Sequence, residues 1–223
     1  MNLTIDSIYY EKDGHQILCG VFLKAHKGEV LGVLGRNGSG KSTLFQIIFG
    51  ALKPSFGNIY IDGVKRKRGY QDKIIKFLPQ AGFLPGHLSV AQTLNLFEQK
   101  WSKSDFLEIG LDLTEQLKIA QLSFGQKKIF ECALILKSPS PIILLDEPFA
   151  GVGPLNIEFI QSLIQSKSSS KLILITDHKY REILKASDRL LMISSGQAKA
   201  IEMNKRALEL NGYLSEIDFK LST

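Results

Sequence analysis

The sequence predicts an α/β protein with a mostly parallel core sheet, an N-terminal antiparallel β part and an inserted small helical lobe. Three observations carry this. Residues 30–50 read as a buried apolar strand, a glycine-rich loop and the first turns of a helix. Two further apolar runs, over residues 142–145 and 172–175, end in polar residues, as strands buried on both faces of a parallel sheet do. Residues 81–121 contain no strand run, and Val90-Ala91-Gln92-Thr93-Leu94-Asn95-Leu96-Phe97 suits a helix. The chain reads as one domain over 1–223, with a core at 1–80 and 122–223 and the lobe at 81–121.

Each element follows from local pattern. Residues 3–5 and 17–23 predict short strands, with turns at Lys12-Asp13-Gly14 and Lys27-Gly28-Glu29. Residues 52–57 read as a loop, 58–61 as a strand turning at Asp62-Gly63, and Lys65-Arg66-Lys67-Arg68 as a solvated basic loop. A strand over 76–78 ends at Pro79-Gln80. Residues 122–126 open a helix that runs to about residue 137 and is stopped by Pro139 and Pro141. A helix to about residue 165 follows the strand at 142–146, and residues 166–170 read as a polar turn. Residues 189–194 and 197–201 form a hairpin over Ser195-Gly196, and the tail, 203–223, reads as a helix and a loose end.

Composition narrows the function classes. The chain has 223 residues, 44% hydrophobic, and a net charge of +6, a mild bias compatible with nucleotide, anionic lipid headgroups or nucleic acid. No apolar run approaches the roughly 18 residues a membrane span needs, and the acidic, weakly apolar start is unlike a secretory signal. Cys19 and Cys132 lack metal spacing and read as buried small residues in a cytosolic protein.

The glycine-rich loop carries the strongest chemical signal. Gly35, Arg36, Asn37, Gly38, Ser39, Gly40, Lys41, Ser42 and Thr43 fit G-x-x-x-x-G-K-[ST] between a strand and a helix, the setting of a phosphate-binding loop. Glycines let backbone amides turn toward phosphate, and the helix adds its positive end. Lys41 suits the β- and γ-phosphates, and Ser42 suits Mg²⁺. Strands ending in polar residues bring Gln80, Asp146, Glu147 and His178 to the same sheet edge, where open α/β sheets bind ligands. There Asp146 is a candidate for holding Mg²⁺ through water. Glu147 is a candidate for accepting a proton from water attacking the γ-phosphate. Gln80 would orient that water or complete the Mg²⁺ shell, and His178 would donate to the γ-phosphate.

With these residues in order, the chain resembles the ATP-binding-cassette ATPases of ABC transporters over nearly its whole length. Leu122-Ser123-Phe124-Gly125-Gln126 stands at the family's LSGGQ position, followed by the acidic strand and His178. Wording such as Leu145-Asp146-Glu147-Pro148-Phe149-Ala150-Gly151-Val152 and Ile175-Thr176-Asp177-His178 is most similar to single-domain cassettes of the lipopolysaccharide-export and branched-chain amino-acid uptake type. The resemblance implies a phosphate-loop NTPase that hydrolyses ATP with Mg²⁺. It also implies a homodimer or a heterodimer with a second cassette, each ATP lying between one phosphate loop and the other chain's Ser123, Gly125 and Gln126. Integral membrane transporter subunits are the implied partners, with contact near Phe83, Leu84, Pro85 and Leu88, at the cytoplasmic face of the cell membrane. Nucleic acid is not an expected partner: cassettes acting on it, or on ribosomes, usually carry two cassettes or a long coiled-coil insertion.

Three departures stand out. Phe124 replaces a motif glycine. Gly153 replaces the aspartate usual after the acidic strand. The position of the adenine-stacking aromatic falls on Lys12, leaving Tyr10 as the candidate, with Tyr9 beside it. The first two also open the reading of a regulatory module that binds ATP and hydrolyses it weakly. The lobe is shorter than typical.

Overall fold

The protein is described by a computed structural model covering residues 1–213; the expected loose end of the tail, over 214–223, lies outside the described residues. Among the described residues ten strands form two sheets. β1 (Asn2–Lys12), β2 (His15–His26), β4 (Phe56–Ile61) and β5 (Val64–Arg66) make an antiparallel sheet ordered β2-β1-β4-β5. β3 (Val30–Leu34), β6 (Ile75–Leu78), β7 (Ile142–Asp146), β8 (Leu172–Thr176), β9 (Arg189–Ser194) and β10 (Gln197–Ile201) make the second, ordered β10-β9-β3-β8-β7-β6. It is parallel except for the β9–β10 hairpin.

The continuous apolar runs are explained by what lies on each face. In β3, β7 and β8, alternate residues enter different cores. Leu31, Val33, Ile142, Leu144, Leu172 and Leu174 pack toward the antiparallel sheet and α1 (Lys41–Phe49). Leu34, Ile143, Leu145, Ile173 and Ile175 pack toward α4 (Phe124–Leu136), α5 (Pro154–Ser168) and α6 (Tyr180–Ala186). A strand covered on both faces has no polar face to show, so period 2 disappears from its sequence.

The region between β6 and α4 holds no named strand. It contains α2 (Val90–Leu96), α3 (Lys103–Glu108) and a short 3-10 turn (Ile119–Gln121). Ser89 and Gln92 form a capping box at α2, and Ser102 and Asp105 form one at α3. Trp101 packs edge-on against Phe106 at 5.3 Å and against Phe130 of α4 at 5.4 Å, fastening the lobe to the core.

Four expectations are corrected. β1 and β2 run far past the short strands expected, because a hairpin turn at Asp13 and Gly14, both at positive φ, lets them pair along their length. Part of the basic run is strand: Lys65 and Arg66 pair with Tyr60 and Ile59 through β5, although Lys65, Lys67 and Arg68 stay exposed. Ser166, Lys167 and Ser168 extend α5 where a turn was expected. Between β8 and β9, α6 occupies a stretch without a sequence assignment and buries Ile183 and Ala186. The tail helix is α7 (Lys205–Leu210), capped by Asn204. Among the described residues no helix is long and apolar enough to cross a membrane.

Candidate active site

The parallel strands end at one edge, and the loop from β3 to α1 lies across it. Gly38 and Gly40 adopt φ of 78° and 102°. Gly40 is also held close to β2: a Cβ there would stand 2.6 Å from Leu18 Cδ2. Glycine is thus required twice over, by conformation and by space. Lys41 is only 5% exposed, with Nζ donating to Gly35 O at 2.7 Å and Arg36 O at 3.2 Å. Burial lowers its pKa from the ordinary lysine value, opposed by the charges of Glu147, Asp146 and Asp177. The buried Ser39 hydroxyl has no hydrogen-bond partner. An ammonium and an orphan hydroxyl inside a loop of turned amides fit a phosphate chain.

Opposite the loop stand the polar strand ends. The Gln80 side-chain amide donates to Glu147 Oε2 at 2.8 Å, and His178 Nδ1 lies 3.6 Å from the same oxygen. Glu147 occupies the left-handed region at φ 51°, a conformation a non-glycine residue adopts only when its surroundings impose it. Asp146 is buried and accepts from the Thr176 hydroxyl at 2.7 Å, which fixes its orientation. A cavity of about 500 Å³ is lined by Ile17, residues 37–43, Gln80, Glu147 and His178. A neighbouring cavity of about 640 Å³ touches the outer side of residues 35–39, Ser195 and Tyr213, without Lys41, Glu147 or His178. Lys41, Glu147 and His178 therefore all belong to the first.

Tyr10 is not brought to either cavity. It sits late in β1 with its ring packed on the core between the sheets, while His15, Gln16 and Ile17 at the start of β2 line the cavities. Hairpin geometry decides this, because β2, not β1, passes beneath the loop. Counting back from Lys41 locates the hairpin but not which strand faces the site.

Ser123, Gly125 and Gln126 also lie away from the chain's own cavity. Ser123 caps α4 and accepts from the Gln126 amide at 3.2 Å; Gln126 Oε1 accepts from the Ser123 amide at 2.9 Å. The Gln126 amide, expected to face phosphate, is engaged in this capping box. The amides of Phe124 and Gly125, which no helix satisfies internally, are the ones left to offer. Phe124 is 62% exposed, with its ring lying over Gly151, and Gly125 backs closely onto Asn156.

Sequence reasoning missed the residues that hold the loop after β6. Buried Lys128 donates to Gln80 O at 3.0 Å, and buried Glu131 accepts from the amides of Phe83 and Leu84 at 2.9 and 3.0 Å. The only signal was a Lys and a Glu at core-facing helical spacing after the LSGGQ-like segment.

Comparison with known proteins places this architecture. A protein-family model described as ABC transporter matches residues 18–150, more than half of the chain. The chain belongs to the ABC transporter family. The lipopolysaccharide export system ATP-binding protein LptB of Haemophilus influenzae is 30% identical, over 87% of this cassette and 88% of the relative. LptB of Escherichia coli K12 is 32% identical, over 87% of each chain. Among solved structures, the cassette superposes on an ATP-bound bacterial Atm1-family ABC exporter with a TM-score of 0.84 at 20% identity. That match covers all of this chain and 42% of the exporter. An ATP-binding cassette of an ABC transporter in its ADP conformation gives 0.77 at 24% identity, with both chains fully covered. The cassette is an ATP-binding subunit of the kind that energises transport.

Proposed function

We propose that this cassette hydrolyses ATP to ADP and phosphate with Glu147 as general base, and that it works as a dimer beneath membrane subunits. The observation that carries the reading is the Glu147 carboxylate. It is held in the left-handed region, hydrogen-bonded to Gln80 and 3.6 Å from His178, across a cavity from Lys41. A water between Glu147 and the γ-phosphate would lose its proton to Oε1 or Oε2 as it attacks. Gln80 orients the carboxylate, His178 donates to the γ-phosphate, and Lys41 with the loop amides holds the β- and γ-oxygens. Mg²⁺ would be held by Ser42, Gln80 and Asp146, and would supply neutralisation of the charge on the phosphate oxygens.

Ser123 and the amides of Phe124 and Gly125 supply a helix N-terminus to the nucleotide of a second cassette. Membrane subunits would meet the lobe beside Phe83, Leu84, Pro85 and Leu88, placing the cassette at the cytoplasmic face of a membrane. Glu147→Gln tests this directly. It keeps the size and the hydrogen bond from Gln80 but removes the base. Nucleotide affinity stays, turnover falls by about 10² or more, and ATP drives the variant to sediment as a dimer. Unchanged turnover would end the general-base assignment.

A further inference from the structure

A second carboxylate sits behind the reacting groups without touching the cavity. Asp177, the first residue past β8, is 0% exposed. Its two oxygens do different work. Oδ2 accepts from the Phe149 amide at 2.9 Å, and Oδ1 accepts from the Lys179 amide at 2.9 Å and lies 3.6 Å from His178 Nδ1. Phe149 belongs to the turn that begins at Glu147 and closes with the Ala150 amide on Glu147 O at 3.3 Å. Lys179 follows His178. One buried side chain therefore ties together the backbones that carry Glu147 and His178, which come from different strands. The tie is reinforced one residue earlier, where the Glu147 amide donates to Thr176 O at 2.9 Å.

We infer that Asp177 is a positioning residue for the hydrolytic step, holding Glu147 in its left-handed conformation and setting the place of His178 against it. This rests on the reading of Glu147 and His178 given above. The role needs two acceptors. Each backbone amide donates to a different oxygen, and both donors are buried or half-buried. Asparagine has nearly the same shape but turns an NH₂ group toward one of those donors, whichever way it is flipped. Asp177 makes no hydrogen bond to the phosphate loop, and of the three carboxylates whose charges favour the Lys41 ammonium the two that act most strongly, Glu147 and Asp146, remain, so nucleotide binding and the chemical step part company. A residue that merely stabilised the fold would move both.

The test uses the full chain and four variants: Asp177→Asn, His178→Ala, the two combined, and Glu147→Gln. Steady-state hydrolysis and titration with a fluorescent ATP analogue are measured for each. Asp177→Asn lowers kcat about tenfold or more, with KM and nucleotide affinity within about twofold of wild type. In the His178→Ala background the same change costs several-fold less than in wild type, because one of the two groups it places is gone while Glu147 remains. Three results overturn the proposal: wild-type kcat in Asp177→Asn, an equal fall in nucleotide affinity, or a loss that multiplies independently of His178. Should Asp177→Asn not fold, Asp177→Ser, smaller and with one accepting hydroxyl, is read by the same criteria. Full turnover in Glu147→Gln removes the general-base reading and this proposal with it. Loss there beside wild-type kcat in Asp177→Asn removes this proposal alone.

Discussion

Lys41 brings an ammonium into the loop at the cost of burial, and its donors go to the carbonyls of Gly35 and Arg36. Lys41→Ala removes the point charge that phosphate would recruit, and a nucleotide titration should show ATP binding lost or strongly weakened. Phe124 lies on the surface over Gly151, so it fills no internal gap, and shortening it leaves no cavity. Gly153 is the N-cap of α5 at φ −74° and ψ 165°, with open space where a Cβ would go. Gly153→Asp therefore fits, caps α5, and should stabilise the fold by a few tenths of a kcal/mol, roughly the Gly-to-Asp difference at an N-cap. Combined with Phe124→Gly, it is expected to raise ATP turnover by up to about tenfold, about 1.4 kcal/mol at the barrier. Steady-state rates and melting curves of the single and double variants check both parts. Rates at or below wild type throughout would show that these positions do not limit turnover.

At the scale of elements, the lobe depends on a small set of contacts. Lys137, at the end of α4, reaches Asp105 of α3 at 2.9 Å and Glu108 at 2.7 Å, and its ammonium lies 5.3 Å from the centre of the Trp101 ring. Hydrogen bonds from Lys137 and then Ser102 hold the Asp105 carboxyl well below the usual carboxylate range. The unfolded chain takes up that proton first. The stabilisation is therefore present in full above about pH 4, the usual aspartate range, and is lost as pH falls below it. Because the pair is partly exposed, the effect is modest and salt-sensitive. Trp101 is the protein's one tryptophan and sits inside this cluster, so its fluorescence reads the lobe directly. An acid titration should move Trp101 emission below about pH 4, and Asp105→Asn should flatten that response.

The elements also show what the sequence could disclose. β3, β7, β8 and the loop into α1 were legible because burial on both faces leaves uninterrupted apolar runs and phosphate binding demands a fixed glycine pattern. α6 was not. It has seven residues and buries Ile183 and Ala186, too short a pattern to stand out from a loop. In the candidate site, the side chains that line the cavity beside the glycine-rich loop, Lys41, Gln80, Glu147 and His178, were readable, and their supports were not. Lys128, Glu131 and Asp177 act on backbone amides and carbonyls distant in sequence, and no local spacing encodes that. That Tyr10 lines neither cavity was hidden for a similar reason: which strand of a hairpin passes under a loop is settled by the packing of two sheets.

For the whole molecule, the decisive feature is that β3, β7 and β8 supply side chains to both cores. Neither core can be lost while the other keeps its wall. Heat should therefore give a single calorimetric transition, with agreement between the calorimetric and van't Hoff enthalpies. Two resolved transitions would show that the antiparallel sheet melts by itself. Amide hydrogen exchange follows the same division. The central strands are expected to open only with global unfolding, whereas α2 and α3, seven and six residues long, are expected to open locally at lower free energy. The candidate site residues stand at the ends of the strands whose protons are expected to exchange last. The lobe that would answer to a membrane partner gives up its protons first.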